Sequence, residues 1–400
     1  MTLLPIFRLT PALVALCAAP ILWADPVEEA QAAIDTCFEK NCRPLNLGIK
    51  GLDHIPPAAL VMPGLSGLRL GRSDITSIAP LAGMIGIDKL DLGRSKIADL
   101  SPLVGLIGLK ELELDNTAVT DLRAIRGLRG LRVLDLTGTK ITDLSPLDGL
   151  AALEWLSLNS TPVTDISVLA NLGALRQLYL DRSAVSDFTP LAQARALRSL
   201  YLDNTSITSL APVSGLVALD ELRLNGTRIS DLSPIAGLFG LRRLELENLQ
   251  VNTLAPVAGL IGLRELNVSK TQVTDLSPVL GMRRLVRVEA RNTQVADLSP
   301  LTGLLALERL NFDDTPVTDL TPLANLTRLS TLSLRNTRVT DLNPLARLPK
   351  LRWVDLRGAP VTDLSPLLLL PELRNLTLGK DHGANPTHVQ QLEAKGVRVR

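Results

Sequence analysis

Leu109–Gly130, LKELELDNTAVTDLRAIRGLRG, decides how the rest of the chain reads. Its Leu112-x-Leu114 pair recurs as an apolar pair every 22 residues without an insertion, with Val, Ala or Phe in place of one or both leucines at Leu266/Val268, Val288/Ala290, Leu310/Phe312 and Val354/Leu356. Backward it reaches Leu90/Leu92 and Leu68/Leu70; forward it runs through Leu134/Leu136 and Leu156/Leu158 to Leu376/Leu378. Leu112 and Leu114 alternate with Glu111, Glu113 and Asp115, which predicts a strand with one apolar and one wet face. Asn116 follows, and its equivalents are mostly Asn, Gly or Asp, residues that tolerate a left-handed turn. Arg72, Arg94, Ser160, Arg182 and Lys270 break that preference, which predicts modest strain or a variable turn. Thr117 comes next, in a column of Thr and Ser whose hydroxyls are expected to satisfy the backbone of neighbouring turns.

The far side of each unit opens as in Asp99-Leu100-Ser101-Pro102-Leu103. Ser before Pro predicts a helix start, with Ser as N-cap and Pro at the first helical position. Leu100, Leu103, Leu106 and Leu109 are apolar at every third residue, which suits a 3₁₀ turn. No single unit can bury its own apolar residues, so the units must stack.

A period in the twenties built on L-x-x-L-x-L is the signature of leucine-rich repeats. The unit Thr337-x-Val339-Thr340-Asp341-Leu342-x-Pro344-Leu345-Ala346 resembles the repeats of bacterial internalins and related secreted bacterial proteins. The resemblance covers about residues 65–379 and implies a curved array that binds other proteins on its concave face. It departs from the internalins where Thr replaces the usual turn Asn, and no immunoglobulin-like domain or sorting signal is read after the repeats. The expected fold is an α/β solenoid. It is a horseshoe with a parallel concave sheet, short 3₁₀ or helical turns on the convex side, and an inner arc on the order of 65–70 Å.

Outside the array, residues 1–24 read as a signal peptide, with Arg8 before an apolar run, so the protein is expected to be exported, to the periplasm or beyond the cell. A lipoprotein anchored through Cys17 is the less favoured alternative, because Leu16 precedes it where a small residue is wanted. Residues 25–64 are assigned to an N-terminal cap: a helix over 26–40, a break near Lys40–Asn41, a Cys37–Cys42 disulfide expected in an oxidising compartment, and an irregular Pro-rich segment. Residues 65–379 hold the repeats, and 380–400 form a C-terminal cap with a helix and a short edge strand. The net charge of +1 implies no bulk attraction to nucleic acid, and no later stretch is apolar enough to span a membrane.

Catalysis is not expected. The only histidines, His54, His382 and His388, lie outside the regular array, and no metal site or cofactor is read from the sequence. The column containing Asp99, Asp121, Asp143 and their equivalents has two readings. It is a calcium ladder, or each carboxylate accepts backbone N–H groups at the entry to the helical turn. Ser77, Ser209 and Thr253 in the same column favour the second reading, because they accept such a bond but ligate calcium poorly.

The binding surface is expected among the outward strand positions. Between Gly67 and Asp203 these hold seven acids (Asp91, Glu111, Glu113, Asp115, Asp135, Asp181 and Asp203) against Arg69 and Lys89. From Glu221 onward seven acids face seven arginines. Trp155, Tyr179 and Tyr201 fall in outward columns of three consecutive units, flanked by Asp181 and Asp203, and are expected to anchor a partner; Trp353 stands alone further along. The expected partner is a protein bound by a monomer, with a glycan or peptidoglycan stacked on the rings as the alternative and a structural envelope role as a third reading.

Overall fold

The computed structural model describes residues 25–41, 43–380 and 383–400. The expected signal peptide with Cys17, the Cys42 half of the expected disulfide and His382 lie outside the described residues.

Among the described residues, seventeen strands form one parallel sheet in which each pairs with its successor. Most strands hold three residues, as in Glu111–Glu113 and Val133–Asp135, and the register puts Leu112 opposite Leu134 with no slip. The chain returns to the sheet through 3₁₀ turns such as Ser101–Leu103 and Ser233–Ile235. Leu109, Leu112, Leu114, Val119, Leu122, Ile125 and Leu128 of one unit are all buried, in a core that runs unbroken from Ala30 to Val397. The array is a leucine-rich solenoid with the sheet on its concave side. Three columns face the groove, represented by Glu111, Glu113 and Asp115, here called the first, third and fifth positions.

The turn after the strand is left-handed in every unit that the sequence singled out. Asn116 has φ 54°, and Arg72, Arg94, Ser160, Arg182 and Lys270, which lack the preferred side chain, adopt φ between 54° and 67° as well. The turn is therefore not variable; stacking imposes it on residues that do not prefer it.

Two local expectations need correction. Ser101 is not the cap: it lies inside the 3₁₀ turn, Leu100 occupies the cap position, and the capping acceptor is Asp99, whose carboxylate takes the Ser101 N–H at 2.8 Å. The Thr117 hydroxyl does not reach a neighbouring unit. It donates to the Leu114 carbonyl three residues back at 2.7 Å, a bond repeated at Thr139, Thr161, Thr205, Thr227, Thr271, Thr293, Thr315 and Thr337. Thr at this position closes the turn within its own unit.

The ends differ from the middle. A helix, Pro26–Lys40, starts at Asp25, which caps the Val27 N–H, and ends where Asn41 turns left-handed. Its buried face, Ala30, Ile34 and Cys37, continues the core. Leu45–Asn46 adds a strand ahead of the first full unit. At the other end Asn385 caps the helix Pro386–Ala394, and Arg398–Val399 pairs with Asn375–Leu376. No helix among the described residues is long and apolar enough to cross a membrane.

Candidate binding face

The parallel register carries side chains of one column side by side along the groove. Tyr179 and Tyr201 are register partners, and their rings stack with centroids 4.3 Å apart and planes 10° apart. Trp155 leans against Tyr179 at 5.0 Å, tilted by 43°. The sequence did not identify the fourth member. The Arg223 guanidinium sits 5.3 Å from the Tyr201 centroid and ion-pairs with Asp203 at 2.9 Å. The signal was available, since Arg223 is the register partner of Tyr201 in the next unit. The Tyr179 hydroxyl donates to Gln177 at 3.1 Å. Burial, followed by a hydrogen bond with Glu221, pushes the Tyr201 hydroxyl far above the usual tyrosine range, so this phenol stays protonated.

The rings stack on one another along the solenoid axis. Tyr179 therefore lies between Trp155 and Tyr201, and Tyr201 between Tyr179 and Arg223, so the faces of both tyrosines are covered by neighbours.

Asp181 and Asp203 do more than flank the rings. The Asn159 amide oxygen accepts the Asp181 N–H, Asp181 accepts the Asp203 N–H, Asp203 accepts the Asn225 N–H, and Asn225 accepts the Glu247 N–H, all at 2.7–2.8 Å. Each bond links one unit to the next. Asp203 is only 8% exposed, and its second oxygen binds Arg223 and the Asn225 side chain. It is thus placed as a structural link and not as an open contact residue.

Of the remaining acids, Glu111 pairs with Lys89 and Asp115 with Arg94. Glu113 and Asp135 make no ion pair among the described residues. Burial pushes both carboxyls upward; for Glu113 the charges of Asp91, Asp135 and Asp115 add to it. Asp91 and Asp181 are shifted the same way, again mainly by burial. Trp353 lies half-buried in a separate hollow of about 380 Å³ with Arg287, Arg309, Asp313, Asp355 and Arg357.

The opposite column behaves as a set of turn caps. Asp99, Asp121, Asp143, Asp165, Asp187 and Asp231 each accept the N–H two residues on at 2.8–2.9 Å. Ser77, Ser209 and Thr253 accept the equivalent bond at 3.1–3.2 Å. The backbone bond from Ser101, followed by the Ser101 hydroxyl, holds the Asp99 carboxyl below its usual range. Among the described residues no group of three or more His, Cys, Asp and Glu is placed to hold a metal ion. His54 pairs with Asp53 at 2.7 Å, and His388 accepts the Leu364 N–H.

Comparison with known proteins agrees with this geometry. The family model described as "Leucine Rich repeats (2 copies)" matches residues 107–149, 195–237 and 305–347. An internalin (InlF) from Listeria monocytogenes is 26% identical, with 82% of this chain and 94% of that one covered at TM-score 0.62. A leucine-rich repeat protein from Leptospira interrogans is 22% identical, with 92% and 98% covered at TM-score 0.81. The leucine-rich ectodomain of the receptor kinase GASSHO1/SCHENGEN3 from Arabidopsis thaliana, solved with Casparian strip integrity factor 2, is 16% identical; 89% of this chain and 50% of that one are covered at TM-score 0.62. No curated protein matches. With a 22-residue period and one parallel sheet of stacked units, the chain is an internalin-like leucine-rich repeat protein.

Proposed function

We propose that this is an exported binding protein whose concave face docks a protein partner at the stack of Trp155, Tyr179, Tyr201 and Arg223. The observation that carries this reading is the ring geometry: three aromatics and a guanidinium from four consecutive units form one rigid ridge in a groove. Large rigid side chains held in place lose little conformational freedom on binding, and Trp, Tyr and Arg lead the residues that dominate interfaces. The plant receptor ectodomain with which the fold is shared was solved in complex with Casparian strip integrity factor 2, which supports reading the array as a docking scaffold. The covered faces of Tyr179 and Tyr201 argue against the sugar-stacking alternative, since a pyranose needs an open ring face. Export rests on the leader-like residues 1–24, and we take the binding unit to be a monomer.

The test is capture of a partner from periplasm and culture supernatant by the wild-type protein and by the Trp155→Ser/Tyr179→Ser/Tyr201→Ser variant. The rings support one another, so the variant should lose about 1–3 kcal/mol of stability from two ring pairs while keeping the circular dichroism of the array. Partner affinity should fall by about 2 kcal/mol or more. A folded variant that captures the same partner equally well would place the site elsewhere.

A further inference from the structure

The fifth-position column carries an accounting problem at every unit. Its backbone N–H points away from the sheet ladder and needs an acceptor. In most units a side chain supplies it, either from the third position of the same unit, as Asp91 does for Gly93 and Asp135 for Thr137, or from the fifth position of the preceding unit, as Asp181 does for Asp203. Gly71, Asp115, Asn159 and Arg291 find no acceptor among the described residues. Two of these four, Gly71 and Asp115, line the same hollow.

That hollow has about 410 Å³ of free space at the N-terminal end of the groove. It exists because Gly48, Gly71 and Gly93 occupy the fifth position in three consecutive units, so the column has no side chains there. The glycines are required by what lies over them. A Cβ on Gly71 would stand 2.5 Å from an Asp91 carboxylate oxygen, and one on Gly93 would stand 1.9 Å from an Asp115 oxygen. Neither the third-position Arg69 nor the preceding Gly48 can accept the Gly71 N–H.

The walls carry both signs of charge. Arg94 is committed to Asp115. Arg69 and Arg72 make no ion pair among the described residues, and neither do Asp91 and Glu113, although all four line the hollow. Arg69, Asp91 and Glu113 also line a second hollow of about 190 Å³ beside it, so the two form one trough. Two uncommitted guanidiniums with a free N–H suit a carboxylate. Asp91 and Glu113, register partners without an ion pair that both line the hollow, suit an ammonium group.

We propose that the hollow floored by Gly48, Gly71 and Gly93 binds a small zwitterion carrying an α-ammonium and an α-carboxylate, of amino-acid or dipeptide size. The carboxylate is held by Arg69, Arg72 and the Gly71 N–H, and the ammonium by Asp91 and Glu113. The volume lies in the range of small-molecule sites. The site is separate from the aromatic ridge and does not depend on it.

Isothermal titration of the full chain with L-alanyl-L-alanine tests this. Saturable binding is expected, weakened at least tenfold by N-acetylation of the dipeptide and again by amidation of its carboxylate. Arg72→Asn should weaken it about tenfold with no change in melting, because Asn already occupies this left-handed turn position at Asn116, Asn204 and Asn336. No saturable heat at millimolar dipeptide would overturn the proposal. So would equal binding of the N-acetylated form, which would mark a simple anion site, or unchanged binding by folded Arg72→Asn. The blocked dipeptides act on the wild-type protein, so the outcome does not hang on the variant's folding.

Discussion

The two halves of the concave face hold the same number of acids and use them differently. In the C-terminal half all but Glu245 are tied up in ion pairs; Glu245, itself raised by burial, accepts from the Asn267 side chain instead. Glu221, Arg243, Glu265, Arg287 and Glu289 form a continuous alternating chain across four units. Glu247 takes Lys270 and Arg291, and Asp355, 1% exposed, takes Arg357. In the N-terminal half Asp91, Glu113, Asp135 and Asp181 have no such partner among the described residues, and burial raises all four carboxyls. Neutralised charges hold the solenoid together; charges left unneutralised oppose folding and are available to a ligand. The contrast therefore separates a half whose acids are mostly neutralised from one that keeps four carboxyls without an ion pair.

The contrast can be broken most directly by neutralising one acid in each half. Asp355→Asn removes a buried charge whose oxygens serve both the Arg357 backbone and its guanidinium. We expect a loss of about 1–3 kcal/mol in urea denaturation, toward the low end because Arg357 itself is half exposed. Glu113→Gln should have the opposite sign, with a gain of about 0.5 kcal/mol or less from relieved like-charge contacts. If both changes destabilise equally, the division into halves is wrong.

The pH dependence sharpens it. The raised carboxyls Asp91, Glu113, Asp135 and Asp181 favour the folded state when protonated. Their contribution is fully present below the unfolded value, about pH 4, and is lost as pH rises through the folded values. A variant with Asp91→Asn, Glu113→Gln, Asp135→Asn and Asp181→Asn should be more stable than wild type at pH 7, and its advantage should shrink as pH falls toward about 4. Asn keeps the required acceptor, as Asn267 and Asn311 already do for Ser269 and Asp313. The convex Asp column titrates in the other direction: its lowered carboxyls stabilise above their unfolded value and lose that contribution as pH falls through the folded one. An advantage that grows on acidification would contradict the raised values.

Two smaller effects follow. Partner association should slow as salt rises from low to physiological ionic strength, and it should do so less in the quadruple variant. A rate indifferent to salt in both proteins would remove the steering role of the N-terminal acids. Melting should not move on adding calcium or chelator, because the Asp99-type carboxylates are occupied by their own turns; a large shift would restore the calcium reading.

Much of this was legible in advance. The repeat, the parallel sheet, the left-handed turns and the proximity of Trp155, Tyr179 and Tyr201 follow from a strict 22-residue register, which places equal columns side by side. Less legible was what each side chain did once there. Asp203 reads in sequence as an exposed acid, yet its two oxygens hold Asn225 and Arg223 of the next unit. Gly48, Gly71 and Gly93 belong to no motif, yet together they open a hollow. Thr117 reads as a bridge between units, yet it closes its own turn.

The sequence by itself determined the period, and with it the fold, the direction of every strand and the face on which each residue falls, because alternation along a strand and stacking between units leave no other arrangement that buries the leucines. Tertiary structure alone decided which groove charges are paired, which amides lack an acceptor and which ring faces are covered. Those outcomes depend on rotamers and on distances of a few ångströms between neighbouring units, where a carboxylate satisfied by its neighbour and one left open to a ligand carry the same letter in the sequence.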